Sequence, residues 1–265
     1  MSLPLSVCIL ARDEAEELER CLPSVAWADE IVVLVDDRSR DATERVARRW
    51  ASRVERRAYA GDLLQKQACV AMAKHEWVLI VDPDEVVPAG LAESIREHLR
   101  SSASSAGAEG TFEAYRVNRV TFHLGRWIRH GDFHPDWKLR LFRRSRARWV
   151  GRDPHGRVEV DGPVGTLDGE LLHYSYRNLA DQIERIQFFS DEAAAALDRD
   201  GVSFRLRDLV LRPPARFLRT WVLRRGYADG MAGFIISAAS AFYVFLKYAK
   251  LWERRRGRPR PEDHH

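Results

Sequence analysis

Three apolar runs near the start of the chain constrain it more than anything else in the sequence. Residues 5–10 (Leu-Ser-Val-Cys-Ile-Leu), 30–36 (Glu-Ile-Val-Val-Leu-Val-Asp) and 77–82 (Trp-Val-Leu-Ile-Val-Asp) are strand-like, and the last two end in an acid. Charged stretches with helical spacing separate them: 13–21, 41–50 with Ala42, Val46, Ala47 and Trp50 on one face, and 63–74. A fourth, 88–99, opens on Pro88, which suits the first turn of a helix. Strands alternating with helices of this length predict βαβ units and a parallel sheet. The uninterrupted apolar runs predict strands covered on both faces.

The texture then changes. Residues 101–110 are Ser, Ala and Gly-rich, a surface loop. Strand candidates at 112–121, 137–142, 158–160 and 170–174 read as an elaborated second half of the same sheet. An amphipathic helix is predicted over 178–198, a basic helical stretch over 204–225 with Pro213-Pro214 as a place for interruption, and an apolar segment over 227–252. The expected organisation is a body over 1–200, basic helices over 201–256 and a flexible tail over 257–265. With 45% hydrophobic residues the chain can bury a core, which excludes global disorder. Cys8, Cys21 and Cys69 form no C-x-x-C pair, which excludes a disulfide scaffold and a cysteine zinc site and suits a reducing compartment. The first ten residues carry no basic segment, so no cleaved signal peptide is expected.

Ligands of open parallel sheets bind beyond the carboxyl ends of the strands. Two acidic clusters fall there, Asp36-Asp37 leading to Asp41, and Asp82-Pro83-Asp84-Glu85. Such acids repel one another unless some face water or a cation sits among them, and Mg²⁺ or Mn²⁺ commonly takes one or two carboxylates plus substrate phosphates. A solvated acidic turn before a helix is the plainer alternative. No glycine-rich dinucleotide fingerprint follows the first strand, where Ala11-Arg12-Asp13-Glu14 stands, and there is no P-loop, nucleophile elbow or H-E-x-x-H. A diphosphate would therefore need a metal and basic side chains.

Taken in order, Arg12-Asp13-Glu14, Val35-Asp36-Asp37-Arg38-Ser39-Arg40-Asp41 and Trp77 to Glu85 resemble family 2 glycosyltransferases. Gly125-Arg126-Trp127 to Gly131, Pro135-Asp136-Trp137-Lys138-Leu139-Arg140-Leu141-Phe142-Arg143-Arg144 and Arg224-Arg225-Gly226-Tyr227 to Leu251 narrow the resemblance to the lipopolysaccharide core β-1,4-glucosyltransferase (WaaE/KdtX-like) subgroup, over nearly the whole chain. The resemblance implies a GT-A fold, Rossmann-like, with a mostly parallel sheet flanked by helices and a C-terminal helical appendage that associates with membrane. It implies an inverting, metal-dependent transfer of a hexose, with UDP-glucose as the expected donor, to a lipid-linked saccharide. By position, Asp36 matches the acid at the donor's uracil or ribose, Glu14 the loop touching the nucleoside, and Lys66 a basic position facing the nucleotide. Asp82 and Asp84 match the D-x-D pair, with Asp82 near the ribose and Asp84 on the metal (Mg²⁺ or Mn²⁺). Lys66 could equally be a solvated helix residue.

The acceptor side stays open. A base within hydrogen-bond reach of the acceptor hydroxyl is required. Asp136 is the first choice, with Asp132, His134 and His155 as alternatives. Relatives usually carry His-Glu where this chain has His155-Gly156. The alternative for Asp136 is pairing with Arg140 or capping a turn. Arg140 and Arg143 suit phosphates of donor or acceptor, or are strand surface charges, and His173 reads as a core hydrogen-bonding group. The glycine of the usual Asp-Ser-Gly-Ser turn is missing from Asp36-Asp37-Arg38-Ser39, and Asp13 replaces the usual Asn.

Charge completes the picture. Residues 201–265 hold fourteen basic and five acidic side chains, whereas the rest of the chain has a net negative charge. Seven arginines lie among Phe, Leu, Val and Trp in 204–225, and 231–246 is an uncharged 16-residue run. A spanning helix needs about 20 such residues. The combination suits helices lying on an anionic membrane, here the cytoplasmic face of the inner membrane, or packing on the catalytic body or a dimer partner. No nucleic-acid module accompanies the charge. Two rival readings are a catalytically degenerate membrane-surface scaffold, which the retention of Asp36, Asp82 and Asp84 disfavours, and a sugar nucleotidyltransferase, which would want a glycine-rich phosphate loop.

Overall fold

The apolar runs become neighbouring parallel strands in the computed structural model, which describes residues 3–104, 112–151 and 156–256. Strands β1 (Leu5–Ala11) and β2 (Glu30–Asp36) are buried almost throughout and are joined by helix α1 (Ala15–Val25). A short α2 (Thr43–Ala47) leads to β3 (Arg53–Arg57), and α3 (Asp62–Met72) leads to β4 (Trp77–Ile80). β1 lies between β2 and β4, with Val7 opposite Ile31 on one side and Leu79 on the other. Leu18, Leu22 and Val25 of α1 cover one face, and Cys69 and Val70 of α3 cover the other. All three cysteines are free and buried.

β5 (Glu85–Val86) and α4 (Ala89–Ser104) follow. Then come β6 (Ala114–His123), β7 (Arg126–Ile128), β8 (Asp136–Arg143), the hairpin β9 (Ala147–Val150) and β10 (Arg157–Val160), and β11 (Val164–His173). The sheet order is β3-β2-β1-β4-β8-β6-β11-β5. β8 joins β4 antiparallel, so the parallel half continues into an antiparallel half and the sheet is mixed. This geometry brings the start of β8 to the carboxyl end of β4.

Two compact units divide the chain. The first holds residues 1–120 and 136–173, and the second holds 121–135 and 174–265. The division differs from the expected boundary at residue 200, because α5 (Leu179–Arg199) belongs with the C-terminal helices. Asn178 caps α5 by accepting the Asp181 N–H at 2.9 Å. α6 (Leu206–Leu218) runs unbroken through Pro213 and Pro214, contrary to the interruption expected there, and continues into a π-type turn over Arg219–Leu223. The lost backbone bonds are offset by packing, with Leu209 against Tyr248 and Leu251, and Phe217 against Phe234. α7 (Gly230–Arg256) packs on α5 and α6. It approaches the preceding turn so closely that a Cβ on Gly233 would meet the Gly226 carbonyl oxygen at 1.9 Å.

Candidate active site

The loops that follow β1 and β2 are tied together before any ligand arrives. Asp13 sits in the left-handed region (φ 52°), which a short acid or amide tolerates better than most side chains. Its Oδ1 accepts the Arg40 N–H at 2.7 Å, while its own N–H bonds Ser39 Oγ. Asp41 accepts the Ala15 N–H at the start of α1, and Thr43 Oγ1 accepts that of Glu14. The acidic loop after β2 therefore caps the helix after β1.

These loops, α3 and the end of β4 surround a cleft of about 460 Å³, within the usual range for a small-molecule site. Glu14, Asp36, Arg38, Tyr59, Lys66, Asp82, Asp84 and His173 are among its lining residues. Asp36 is held by the Arg38 guanidinium and by the Arg38 N–H at 2.9 Å, which together keep its carboxyl at about 2. The guanidinium also lies 4.4 Å from the centre of the Tyr59 ring. Glu14 is the opposite case. Burial, with the nearby negative charges of Asp84, Glu17 and Asp82, pushes its carboxyl up to about 7.

A buried ion-pair network supports the acids. Arg140 joins Asp82 to Glu85, and Glu85 Oε2 accepts the Asp82 N–H at 2.9 Å to hold the turn. Burial of Asp82 favours its neutral form, but Arg140 and Lys66 (3.8 Å away) outweigh that and keep it ionised far below the usual range. Arg119 extends the network from Glu85 at 3.1 Å to Asp136 at 2.8 Å, and Lys138 lies 3.0 Å from Asp136. Burial again opposes ionisation of Asp136, and the two cations again win, so its carboxyl lies below the ordinary value. Asp84 stands apart from the guanidinium network, with His173 Nε2 3.2 Å from its Oδ2.

Five of the sequence-predicted residues, Glu14, Asp36, Lys66, Asp82 and Asp84, thus share one cleft. Arg140, expected at a phosphate, is buried beneath Asp82 and paired with Asp82 and Glu85. Arg143 pairs with Glu113 at 2.9 Å and lies over the Trp77 ring, a packing role. Asp132, an alternative base in the sequence reading, is placed elsewhere. It lies in the second unit, where Thr220 Oγ1 donates to it at 2.6 Å and Arg216 and Arg224 pair with it at 2.8 and 2.9 Å. That carboxylate ties residues 216–224 of the C-terminal helices to the loop that carries it. His155 lies outside the described residues. His173, expected as a core hydrogen-bonding group, is buried as expected, and its partner is Asp84 at the edge of the cleft. Arg38, Tyr59, Asp62 and Gln65 line the cleft without having been singled out as ligands. The one local signal was Arg38 standing where a small turn residue was expected.

Among the described residues no group of three or more His, Cys, Asp or Glu side chains forms a ready-made metal cage. The residues present still fit a cation shared with substrate. Glu14 and Asp84 leave the cleft with more carboxylate than its cations neutralise, and Asp84 has an imidazole but no guanidinium on it. One or two carboxylates completed by phosphate oxygens is the usual manner of holding Mg²⁺.

Residues 6–159 match the glycosyl transferase family 2 signature. The chain is 29% identical over 266 residues to the lipopolysaccharide core biosynthesis glycosyltransferase LpsC of Rhizobium meliloti, covering 98% of this chain and 96% of that protein. It is 28% identical to an uncharacterized glycosyltransferase of Rickettsia typhi, covering 94% of this chain and 87% of the relative. Among solved structures, S. aureus TarS 1–349 in complex with UDP aligns with a TM-score of 0.47 at 13% identity, covering 97% of this chain and 92% of that one.

Proposed function

The chain belongs to glycosyl transferase family 2 and has a GT-A type fold, and on that premise we propose that it moves a hexose, glucose from UDP-glucose, to a lipid-linked saccharide with inversion at the sugar carbon. The observation that carries this reading is the convergence of Asp36, Asp82 and Asp84 from two parallel strand ends on one cleft, with Lys66 facing them. In this reading Asp36 and Arg38 hold the nucleoside end of the donor, Arg38 and Tyr59 offering a flat cationic-aromatic surface to a base. Lys66 lies by the diphosphate, and Asp82, fixed by Arg140, lies by the ribose. Asp84, with Glu14 near it, would hold Mg²⁺ or Mn²⁺. When bound, that cation offsets the charge developing on the leaving nucleoside diphosphate.

Asp136 is the proposed base. It is ionised, partly exposed and linked through Arg119 to the same network as Asp82, so it takes the acceptor hydroxyl proton from a fixed position. Its cation partners lower its basicity, and they also hold its carboxylate still, which favours in-line attack. The lipopolysaccharide inner core is the proposed acceptor, by analogy with the Rhizobium meliloti relative, a lipopolysaccharide core biosynthesis glycosyltransferase. The protein would then act as a peripheral protein on the cytoplasmic face of the inner membrane.

Mass spectrometry of glycolipid from a strain lacking the protein tests the reading. The expected result is an acceptor lighter by one hexose, restored by the wild-type chain and not by Asp84→Ala. An unchanged glycolipid would contradict it.

A further inference from the structure

The second unit turns apolar side chains to both its inside and its outside. Along α6, Leu209 and Phe217 point inward to α7, which is ordinary for an amphipathic helix. The other side of the same helix should then be polar. Instead Leu211 and Leu218 are exposed there, Leu206 and Val210 are exposed along its flank, and Leu223 and Met231 further along the chain are 77% and 73% exposed. Exposure of this kind on a soluble surface marks a place where something docks.

The charges among these side chains identify what docks. Arg212, Arg216 and Arg224 are used internally, on Asp208 and Asp132. Arg205, Arg207, Arg219 and Arg225 form no ion pair among the described residues. Unpaired guanidinium groups interleaved with exposed leucines match a surface that is anionic at its boundary and apolar just beneath it. A second copy of the chain meets the same face less well, because a two-fold contact would set these arginines against one another. α7 is long and apolar enough to cross a bilayer by length and composition. It packs in part on α5 and α6, with Ile236, Tyr248 and Leu251 buried and with Lys250 on Asp191 and Arg255 on Asp198 at 3.0 and 3.3 Å, while only 33% of its apolar stretch is buried.

We propose that the outer face of α6, continued through residues 219–231, seats the protein on an anionic phospholipid bilayer, and that α7 serves as its partly packed backing. This deepens the lipid-linked acceptor reading, but it rests on the second unit's own surface and its test needs no sugar.

The test is co-sedimentation of the purified full chain with vesicles of phosphatidylcholine alone or with about one third phosphatidylglycerol. Binding is expected to the anionic vesicles only, and to weaken steeply with salt. Arg207→Ser with Arg219→Ser is expected to weaken it by roughly 25-fold, at about five-fold per arginine. Leu211→Glu and Leu223→Glu should each weaken it at least about ten-fold. Because both leucines are exposed, circular dichroism should remain that of wild type, and UDP binding measured on the same variants separates a failed donor site from a failed membrane face. Equal sedimentation with neutral vesicles, or none with either, overturns the proposal. So does light scattering that shows a dimer dissolved by Leu223→Glu with vesicle binding unchanged.

Discussion

Two regions among the described residues set aspartates against arginines, and they do different things with the same chemistry. Around Asp132 and Asp229, in the second unit, every carboxylate is used up. Asp132 takes Thr220, Arg216 and Arg224, and Asp229 takes the backbone N–H groups of Arg129 and His130 with Arg126 alongside. At the ends of β2 and β4, in the first unit, the arginines neutralise only part of the acid. Arg140 takes Asp82 and Glu85, but Glu14 and Asp84 face a cleft with charge to spare. A saturated cluster holds a fold together. An unsaturated one beside a cleft keeps carboxylates with a raised or less neutralised charge at a surface that substrate can reach.

Substitutions can break or sharpen that contrast. The largest effect is expected of Asp136→Asn, a loss of 10²- to 10⁴-fold in kcat with donor affinity kept, measured by steady-state kinetics. Asp84→Ala is expected to cost about 10²- to 10³-fold in kcat/KM and to abolish any response to Mn²⁺, while the melting temperature stays unchanged. Asp132→Ala should do the reverse. It strands two arginines and should cost roughly 3–5 kcal/mol of stability in denaturant titration, with kcat of the folded protein kept. An Asp132 variant that folds normally but loses turnover would erase the distinction between the clusters.

The smallest effect concerns pH. The Glu14 carboxyl is raised to about 7 in the folded chain, so between its ordinary unfolded value near 4.3 and about pH 7 the folded state keeps a proton that the unfolded state has released. Stability from this group is therefore full at low pH, falls as pH rises through that window and is flat above it. In metal-free buffer Glu14→Gln is expected to be more stable than wild type by about 1–2 kcal/mol at pH 8, with the difference vanishing below about pH 4. Equal melting temperatures for the two proteins across that range would show Glu14 to be solvated.

Much of this was legible in order along the chain. Residues 5–10, 30–36 and 77–82 became β1, β2 and β4 because buried strands write their burial into every position. β3 was missed because its sequence, Arg-Val-Glu-Arg-Arg, is that of a charged edge strand, kept polar where one side of the sheet ends. The acids at the cleft were visible as strand-end clusters. Their partners were not, since Arg140 under Asp82 and His173 on Asp84 come from strands far along the chain, brought there by antiparallel pairing. Asp136 ranks ahead of Asp132, four residues away, by resemblance alone. In the structure the return of Arg216, Thr220 and Arg224 to Asp132 separates them.

The central claim is that the partly neutralised cleft, and not the saturated cluster, takes the nucleoside diphosphate. Calorimetric titration of UDP into the full chain with Mn²⁺ tests it most directly. One saturable site is expected, at least about ten-fold weaker in Asp36→Ala and in Lys66→Ala, and unchanged in folded Asp132→Ala. No heat with UDP, or binding that survives both cleft substitutions undiminished, would contradict it.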